Sequence, residues 1–303
     1  MTPTLVVITG PTGVGKTATA IEVAQALSAE IISADSRQVY RDIPIGTAAP
    51  TAQELAQVPH HFVGILGLDE YYSAAQFESD VMSLLPCLFA RSPYAVMCGG
   101  SMMYVDAVCK GIDLLPTISD EVRRRVYACY EQHGNDYMLA WLQELDAAYY
   151  DIVDRNNHKR VIHAIEICLE AGKPYSSLRT NRVKKRPFRI VKIGLNLPRE
   201  QLFDRINRRT IEMLNTGMVD EARRVYPYRA YNSLNTVGYK ELFAYFEGKM
   251  DYDMAVARIQ KNTRVYAKKQ LTWFLRDVDM RWFTPGDAGI LPYIRQQSMD
   301  IPD

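Results

Sequence analysis

Leu5-Val6-Val7-Ile8 is an unbroken apolar run rich in β-branched residues. Continuous apolarity of this kind predicts a strand buried on both faces of a parallel sheet, where a half-exposed strand would alternate. A glycine-rich stretch follows, then a helical pattern from Lys16 to about Leu27. Ile31-Ile32, a short run ending at Asp35, reads as a second strand, and Phe62 to Leu66, Tyr94 to Cys98 and Phe188 to Leu195 as further ones. Helical spacing occupies the intervals, notably Ser73 to Arg91 and Ser101 to Lys110. Strands alternating with helices predict an α/β fold with a mostly parallel sheet flanked by helices.

Between about Pro116 and Arg186 the pattern changes. No strand stands out there, only the helix-like segments Ser119 to Gln132, Asn135 to Glu144 and Asn157 to Gly172. The expectation is an all-helical insertion over 116–186, within a core domain made of 1–115 and 187–303. The stretch from Arg199 to Asp277 is helical again, and Arg281-Trp282-Phe283 predicts a last short strand.

At 303 residues, 48% hydrophobic and 23% charged, the chain has the make-up of a folded protein with a sizeable core, which excludes wholesale disorder. Lys plus Arg number 36 against 35 Asp plus Glu, a net charge of +1. Any nucleic-acid binding must therefore come from local patches and not from bulk charge. The five cysteines lie far apart with no C-x-x-C, the pattern of thiols in a reducing compartment. No signal peptide and no apolar run of membrane-spanning length is seen, so a cytoplasmic protein without membrane attachment is expected.

Gly10-Pro11-Thr12-Gly13-Val14-Gly15-Lys16-Thr17 satisfies G-x-x-x-x-G-K-[ST] between a predicted strand and a predicted helix. In that setting backbone N–H groups converge on an anion, the helix directs its positive dipole end to the same spot, Lys16 adds a full charge and the Thr17 hydroxyl is a ligand for Mg²⁺. The motif specifies a diphosphate or polyphosphate site without saying which. Asp35 stands at the carboxyl end of a strand expected to neighbour the first, the edge that lines the ligand crevice of a parallel sheet. It suits either a Mg²⁺ ligand in a nucleoside triphosphatase or a general base facing the phosphates. Gly99-Gly100-Ser101 follows another strand, with Ser101 either near the ligand or a plain helix cap.

Two stretches are basic and free of acids. Arg179, Arg182, Lys184, Lys185, Arg186, Arg189 and Lys192 fall within fourteen residues. Arg258, Lys261, Arg264, Lys268, Lys269 and Arg276 alternate with Tyr266, Trp273 and Phe274. At about 100° per residue the six bases of the second run occupy roughly 140° of a helix, opposite Ile259 and the aromatics. A solvated basic face is one reading; the lack of balancing acids favours nucleic acid, with phosphate contacts positioning an RNA and aromatics stacking an extruded base.

Gly10 to Thr17, Asp35-Ser36-Arg37-Gln38-Val39-Tyr40, Ile45-Gly46-Thr47-Ala48, Gly99-Gly100-Ser101-Met102-Met103-Tyr104, Val237-Gly238-Tyr239 and Lys269-Gln270-Leu271-Thr272-Trp273 together resemble, in order and spacing, the motif series of bacterial tRNA dimethylallyltransferases. The resemblance covers essentially the whole chain. It implies a P-loop core with a helical insertion and transfer from dimethylallyl diphosphate to N6 of the adenosine 3′ to the anticodon, adenosine-37, with Mg²⁺ and release of diphosphate. It implies that Asp35 is the base and that Arg209, in Arg205-Ile206-Asn207-Arg208-Arg209, contacts the diphosphate beside Thr17. The tRNA anticodon stem-loop would meet Asp35, Ser36, Arg37 and Gln38, together with Ser101 and Arg123. Further contacts would come from Lys159, Arg160, Val161, Ile162 and His163, from Thr236, Val237, Gly238, Tyr239, Lys240 and Glu241, and from Lys268, Lys269, Gln270, Thr272 and Trp273. A monomer is expected. The chain departs from the family in two places: His163 stands where arginine is usual, and Ser101 replaces threonine while keeping the hydroxyl.

A small-molecule or nucleotide kinase is the competing expectation, because the loop suits ATP equally well and the insertion would serve as a lid. A nucleotide-driven RNA-binding switch is a third reading, one that leaves Asp35 without a chemical role.

Overall fold

The computed structural model describes residues 2–113, 115–180 and 182–299. Two compact units form, one of Met1–Cys109 with Lys185–Asp303 and one of Lys110–Lys184. The first unit opens with β1 (Thr4–Thr9), α1 (Lys16–Ala26), β2 (Ile31–Ser33), α2 (Ala52–Leu55) and β3 (His60–His61). It continues with α3 (Ala74–Arg91), β4 (Tyr94–Cys98) and α4 (Met102–Lys110). The second unit holds α5 (Asp120–Leu145), α6 (Ala147–Ile152), α7 (His158–Ala171) and α8 (Tyr175–Leu178). The chain then returns through β5 (Arg189–Leu195), α9 (Arg199–Met213), α10 (Val219–Val225), α11 (Tyr239–Phe246), α12 (Tyr252–Phe274), β6 (Arg281–Phe283) and α13 (Ile290–Ser298).

The strands form one all-parallel sheet in the order β3-β2-β4-β1-β5-β6. Every residue of β1 is buried, as its unbroken apolar run requires. Because side chains alternate across a strand, Val6 and Ile8 join α1, α9 and α13 on one face, while Leu5 and Val7 pack against α3 and α4 on the other. A third cluster, around Val39, Ile43, Tyr239, Leu242 and Ile259, fastens the segment after β2 to α10, α11 and α12.

The sheet departs from the sequence expectation in two places. The segment expected to be a strand over Phe62 to Leu66 is not one: β3 is the pair just before it, and Leu66 makes only an isolated bridge to Tyr40. Phe62 and Gly64 both take positive φ, 64° and 60°, which curls the chain out of the sheet and leaves the Phe62 ring edge-on to Phe77. β2 is also not the neighbour of β1, since β4 lies between them.

In the second unit the two helices expected over 119–132 and 135–144 are both present within α5, which is broken between them at Gly134, where φ is 76° and ψ is −174°, outside the helical region. Short α6 and α8 escaped the sequence pattern because neither is long enough to show periodicity. The unit has its own core of Val126, Met138, Leu142, Val161, Ile162 and Ile165.

Candidate active site

From the end of β1 the chain turns through the glycine-rich loop into α1. Gly15 caps the helix with φ 108°, a left-handed conformation that glycine adopts without strain. A side chain at Gly10 would collide with the carbonyl of Leu195 at the end of β5. Lys16 reaches back so that its Nζ donates to the carbonyls of Gly10 (3.1 Å) and Pro11 (3.0 Å). Burial pulls its pKa down to about 8, with the Arg209 cation acting in the same sense and Asp35 opposing it. Two loop amides are already engaged: Thr12 N–H donates to Gln270 Oε1 (2.8 Å) and Val14 N–H to the Pro11 carbonyl (3.3 Å). The amides of the first turn of α1 have no intrahelical acceptors and, with those of the loop glycines, are placed to meet an anion.

Asp35 lies just past β2 at the carboxyl edge of the sheet, across β4 from the loop and not on an adjacent strand. Its Oδ1 accepts from the backbone N–H groups of Arg37 (2.9 Å) and Gln38 (3.3 Å). From α9, Arg209 donates to Thr12 Oγ1 (3.1 Å); burial lowers its pKa and Asp35 raises it. Gln270 of α12 is 2% exposed, and its Nε2 donates to the Gly100 carbonyl (2.8 Å) while its Oε1 holds Thr12. One side chain thus ties the phosphate loop to the turn after β4.

Two cavities meet here. The larger, of 780 Å³, is walled by the phosphate loop, including Lys16 and Thr17, by Gln38 and by Arg205 and Glu212 of α9. The smaller, of 330 Å³, runs from Ser36, Arg37 and Ser101 to the apolar side chains of Ile206, Met218, Val237 and Ile259. Thr12, Asp35, Thr47, Arg209 and Met213 line both, so the carboxylate and the half-buried Arg209 stand at the boundary between the phosphate-loop cavity and an amphipathic pocket. Tyr266 also borders the smaller cavity.

Of the positions expected to touch RNA, the structure leaves several outward and turns others in. Lys240, Lys268, Lys269 and Thr272 are exposed in the first unit, and Arg123, Lys159, Arg160 and His163 in the second. His163 Nδ1 lies 3.8 Å from Glu166 Oε2, a weaker anchor than an arginine fork. Thr236, Val237 and Lys240 border the smaller cavity, as do Ser36, Arg37 and Ser101.

Other side chains expected to meet RNA are occupied internally. Tyr239, Val161 and Ile162 are buried in hydrophobic clusters. Glu241 holds the Gly238 N–H (2.7 Å) and Asn262 (2.7 Å). The Gln38 carboxamide bonds Ser33 and the carbonyls of Thr47 and Ala48, Gln270 clamps the loop, and the half-buried Trp273 donates to Asp106 Oδ2 (2.9 Å). Ser101 Oγ accepts from Ser36 N–H (2.8 Å), which orders the segment after Asp35.

The first basic run is also less free than its composition suggests. Arg186 forms a buried pair with Glu78 (2.7 Å), both side chains 8% exposed, and Lys192 pairs with Asp277 (2.8 Å). In the second run Arg264 donates to Asn207 Oδ1 (2.6 Å) and covers the Phe203 ring, whereas Arg258, Lys261, Lys268 and Lys269 remain exposed.

Among the described residues no cluster of three or more His, Cys, Asp or Glu side chains is able to hold a metal ion. The Thr17 hydroxyl and the Asp35 carboxylate do line one cavity, a hard-oxygen set that suits Mg²⁺ sharing its shell with phosphate and water. Among the described residues no helix is long and apolar enough to cross a membrane.

The IPP transferase family profile matches residues 38–277. The chain is 56% identical to a tRNA dimethylallyltransferase of Parabacteroides distasonis, over 97% of this chain and 98% of that one. It is 53% identical to one from Bacteroides fragilis, over 96% and 97%. Among solved structures it resembles the full-length tRNA isopentenylpyrophosphate transferase of Bacillus halodurans, with TM-score 0.71 and 35% identity over 97% of this chain and 96% of that one. A eukaryotic dimethylallyltransferase acting on tRNA superposes with TM-score 0.80 at 26% identity, covering 94% of this chain and 75% of that one.

Proposed function

The chain belongs to the IPP transferase family, and from that premise we propose that it transfers a dimethylallyl group from dimethylallyl diphosphate to N6 of the adenosine 3′ to the anticodon, adenosine-37, of tRNA. The observation that carries the reading is the boundary between the two cavities, where Asp35 and Arg209 face both the phosphate loop and the amphipathic pocket.

The donor's diphosphate lies in the larger cavity, against the first-turn amides of α1, Lys16, Thr17 and Arg209, and the extruded adenine enters the smaller one. The exocyclic amine attacks C1 of the allyl group, forming the N–C bond as the C1–O bond breaks. The electron pair of that bond leaves with the diphosphate, whose growing charge is met by Lys16, Arg209 and the loop amides. The amine nitrogen becomes positive as it bonds carbon, and its proton passes to the Asp35 carboxylate. The amides of Arg37 and Gln38 hold one oxygen of that carboxylate in place. Mg²⁺, which Thr17 would hold in the cavity that Asp35 also lines, would supply further charge neutralisation of the diphosphate. Exposed Lys261, Lys268, Lys269 and Lys240, with Arg123, Lys159, Arg160 and His163, are the side chains this reading gives to the tRNA backbone.

A kinase would use the phosphate loop equally well, but the relatives named above are dimethylallyltransferases. A tRNA substrate supports a cytoplasmic location for the enzyme. A monomer is the state proposed for it.

The test incubates the protein with unmodified tRNA, Mg²⁺ and dimethylallyl diphosphate, then weighs the nucleosides after digestion. Prenylated adenosine is expected. Asp35→Ala should lose turnover while keeping tRNA affinity. Absence of the product, with ATP-dependent phosphorylation of a metabolite in its place, would reject the reading.

A further inference from the structure

Glu221 of α10 is 2% exposed and has no place in the reaction described above. Its two oxygens accept from the backbone N–H groups of Ile45 (2.9 Å) and Gly46 (2.7 Å), and Oε1 also accepts from the Tyr239 hydroxyl (2.5 Å) at the start of α11. Tyr239 is itself fully buried, and a side chain at Gly46 would collide with its hydroxyl. The neighbouring Arg224 adds a bond to the Asp42 carbonyl (2.9 Å). A buried carboxylate that bonds two consecutive backbone amides fixes the course of that backbone, because each bond to a charged acceptor is short and strong.

The loop so gripped is part of the site. Gly46 and Thr47 border the smaller cavity, and Ile45, Thr47 and Ala48 the larger. The carbonyls of Thr47 and Ala48 accept from Gln38 Nε2 (3.3 and 2.9 Å), and the Gln38 amide in turn donates to Asp35 Oδ1 (3.3 Å). An unbroken run of bonds therefore leads from α10 and α11 to the carboxylate at the cavity boundary. Building on the function proposed above, we propose that Glu221 and Tyr239 are positioning residues for the transfer, clamping the Ile45–Ala48 loop so that Asp35 is held where the incoming amine loses its proton. Their effect falls on turnover and not on the capture of either substrate.

The test uses the full chain carrying Glu221→Gln or Tyr239→Phe, with kcat, KM for each substrate, equilibrium tRNA binding and thermal unfolding measured on every protein. The glutamine variant keeps the shape but turns an amide toward a group that needs an acceptor. About a 10- to 100-fold loss in kcat is expected, with tRNA affinity and donor KM within about twofold of wild type. The phenylalanine variant leaves the carboxylate its backbone partners and should lose about 3- to 10-fold in kcat. If the glutamine variant does not fold, the phenylalanine variant decides alone. A purely structural clamp would lower the melting temperature and leave kcat per folded molecule unchanged, which would overturn the inference, as would a loss confined to tRNA affinity. Wild-type protein that prenylates nothing would sink the functional reading itself; active wild type with equally active variants would sink only this inference.

Discussion

Replacing Gln270 with alanine tests how the phosphate loop is held. The carboxamide is 2% exposed and is the link from α12 to both the Thr12 amide (2.8 Å) and the Gly100 carbonyl (2.8 Å). Its removal strands two backbone groups, and each such group costs about 1–3 kcal/mol when no partner replaces the lost one. The combined loss of folding stability should be about 2–6 kcal/mol, a large share of the margin of a typical domain. Thr12 is also the residue that receives Arg209, so loosening it disturbs the cradle at its boundary with the second cavity. A displacement of about 1 Å there should lower kcat/KM for the diphosphate donor about 100-fold. tRNA affinity should stay near wild type, because Gln270 presents nothing to solvent. Denaturant unfolding and steady-state kinetics with each substrate varied in turn measure both effects. An alanine variant within about 0.5 kcal/mol of wild type and with unchanged donor kinetics would refute the claim that this side chain holds the loop.

Lys16 gives a pH signature. Its pKa in the folded protein, about 8, lies below the ordinary 10.5, so between those values the unfolded chain binds more protons than the native one and stability rises with pH. In the same interval the free enzyme loses the charge that greets the diphosphate, and kcat/KM for the donor should fall with an apparent pKa of about 8, while kcat holds to higher pH because bound diphosphate keeps the lysine charged. A kcat/KM profile flat from pH 7 to 9.5 would contradict this. Arg186→Ala should destabilise by about 3–5 kcal/mol, because it removes the cation buried against the Glu78 carboxylate, and should leave the salt dependence of tRNA binding unaltered. Lys268→Ala and Lys269→Ala should do the opposite, weakening tRNA binding and reducing the slope of log affinity against log salt by about 0.7–0.9 each. A slope identical to wild type would remove them from the RNA surface.

What could be read along the chain was what neighbouring residues decide among themselves. The phosphate loop is eight consecutive residues whose glycines, lysine and threonine act on one another locally, so strand, turn and helix were legible together. β1, β4 and β6 announced themselves as compact apolar or aromatic runs, and Asp35 was visible as an acid closing a strand. Tertiary structure decided the partners. Gln270 reaches Thr12 across 258 positions and Glu221 reaches Gly46 across 175, and no periodicity encodes such a pairing. Whether a basic residue meets solvent or a buried acid was equally open: Arg186 and Lys269 look alike in an acid-free run, and only the fold sets Glu78 beside the first. Strand order belongs to the same class, since hydrophobicity buries β2 and β4 alike and does not say which of them pairs with β1. Local chemistry thus specified the phosphate-loop turn. The packing of distant helices specified what stands across from it, because a buried polar group is satisfied by whichever chain segment the folded core brings within a hydrogen bond.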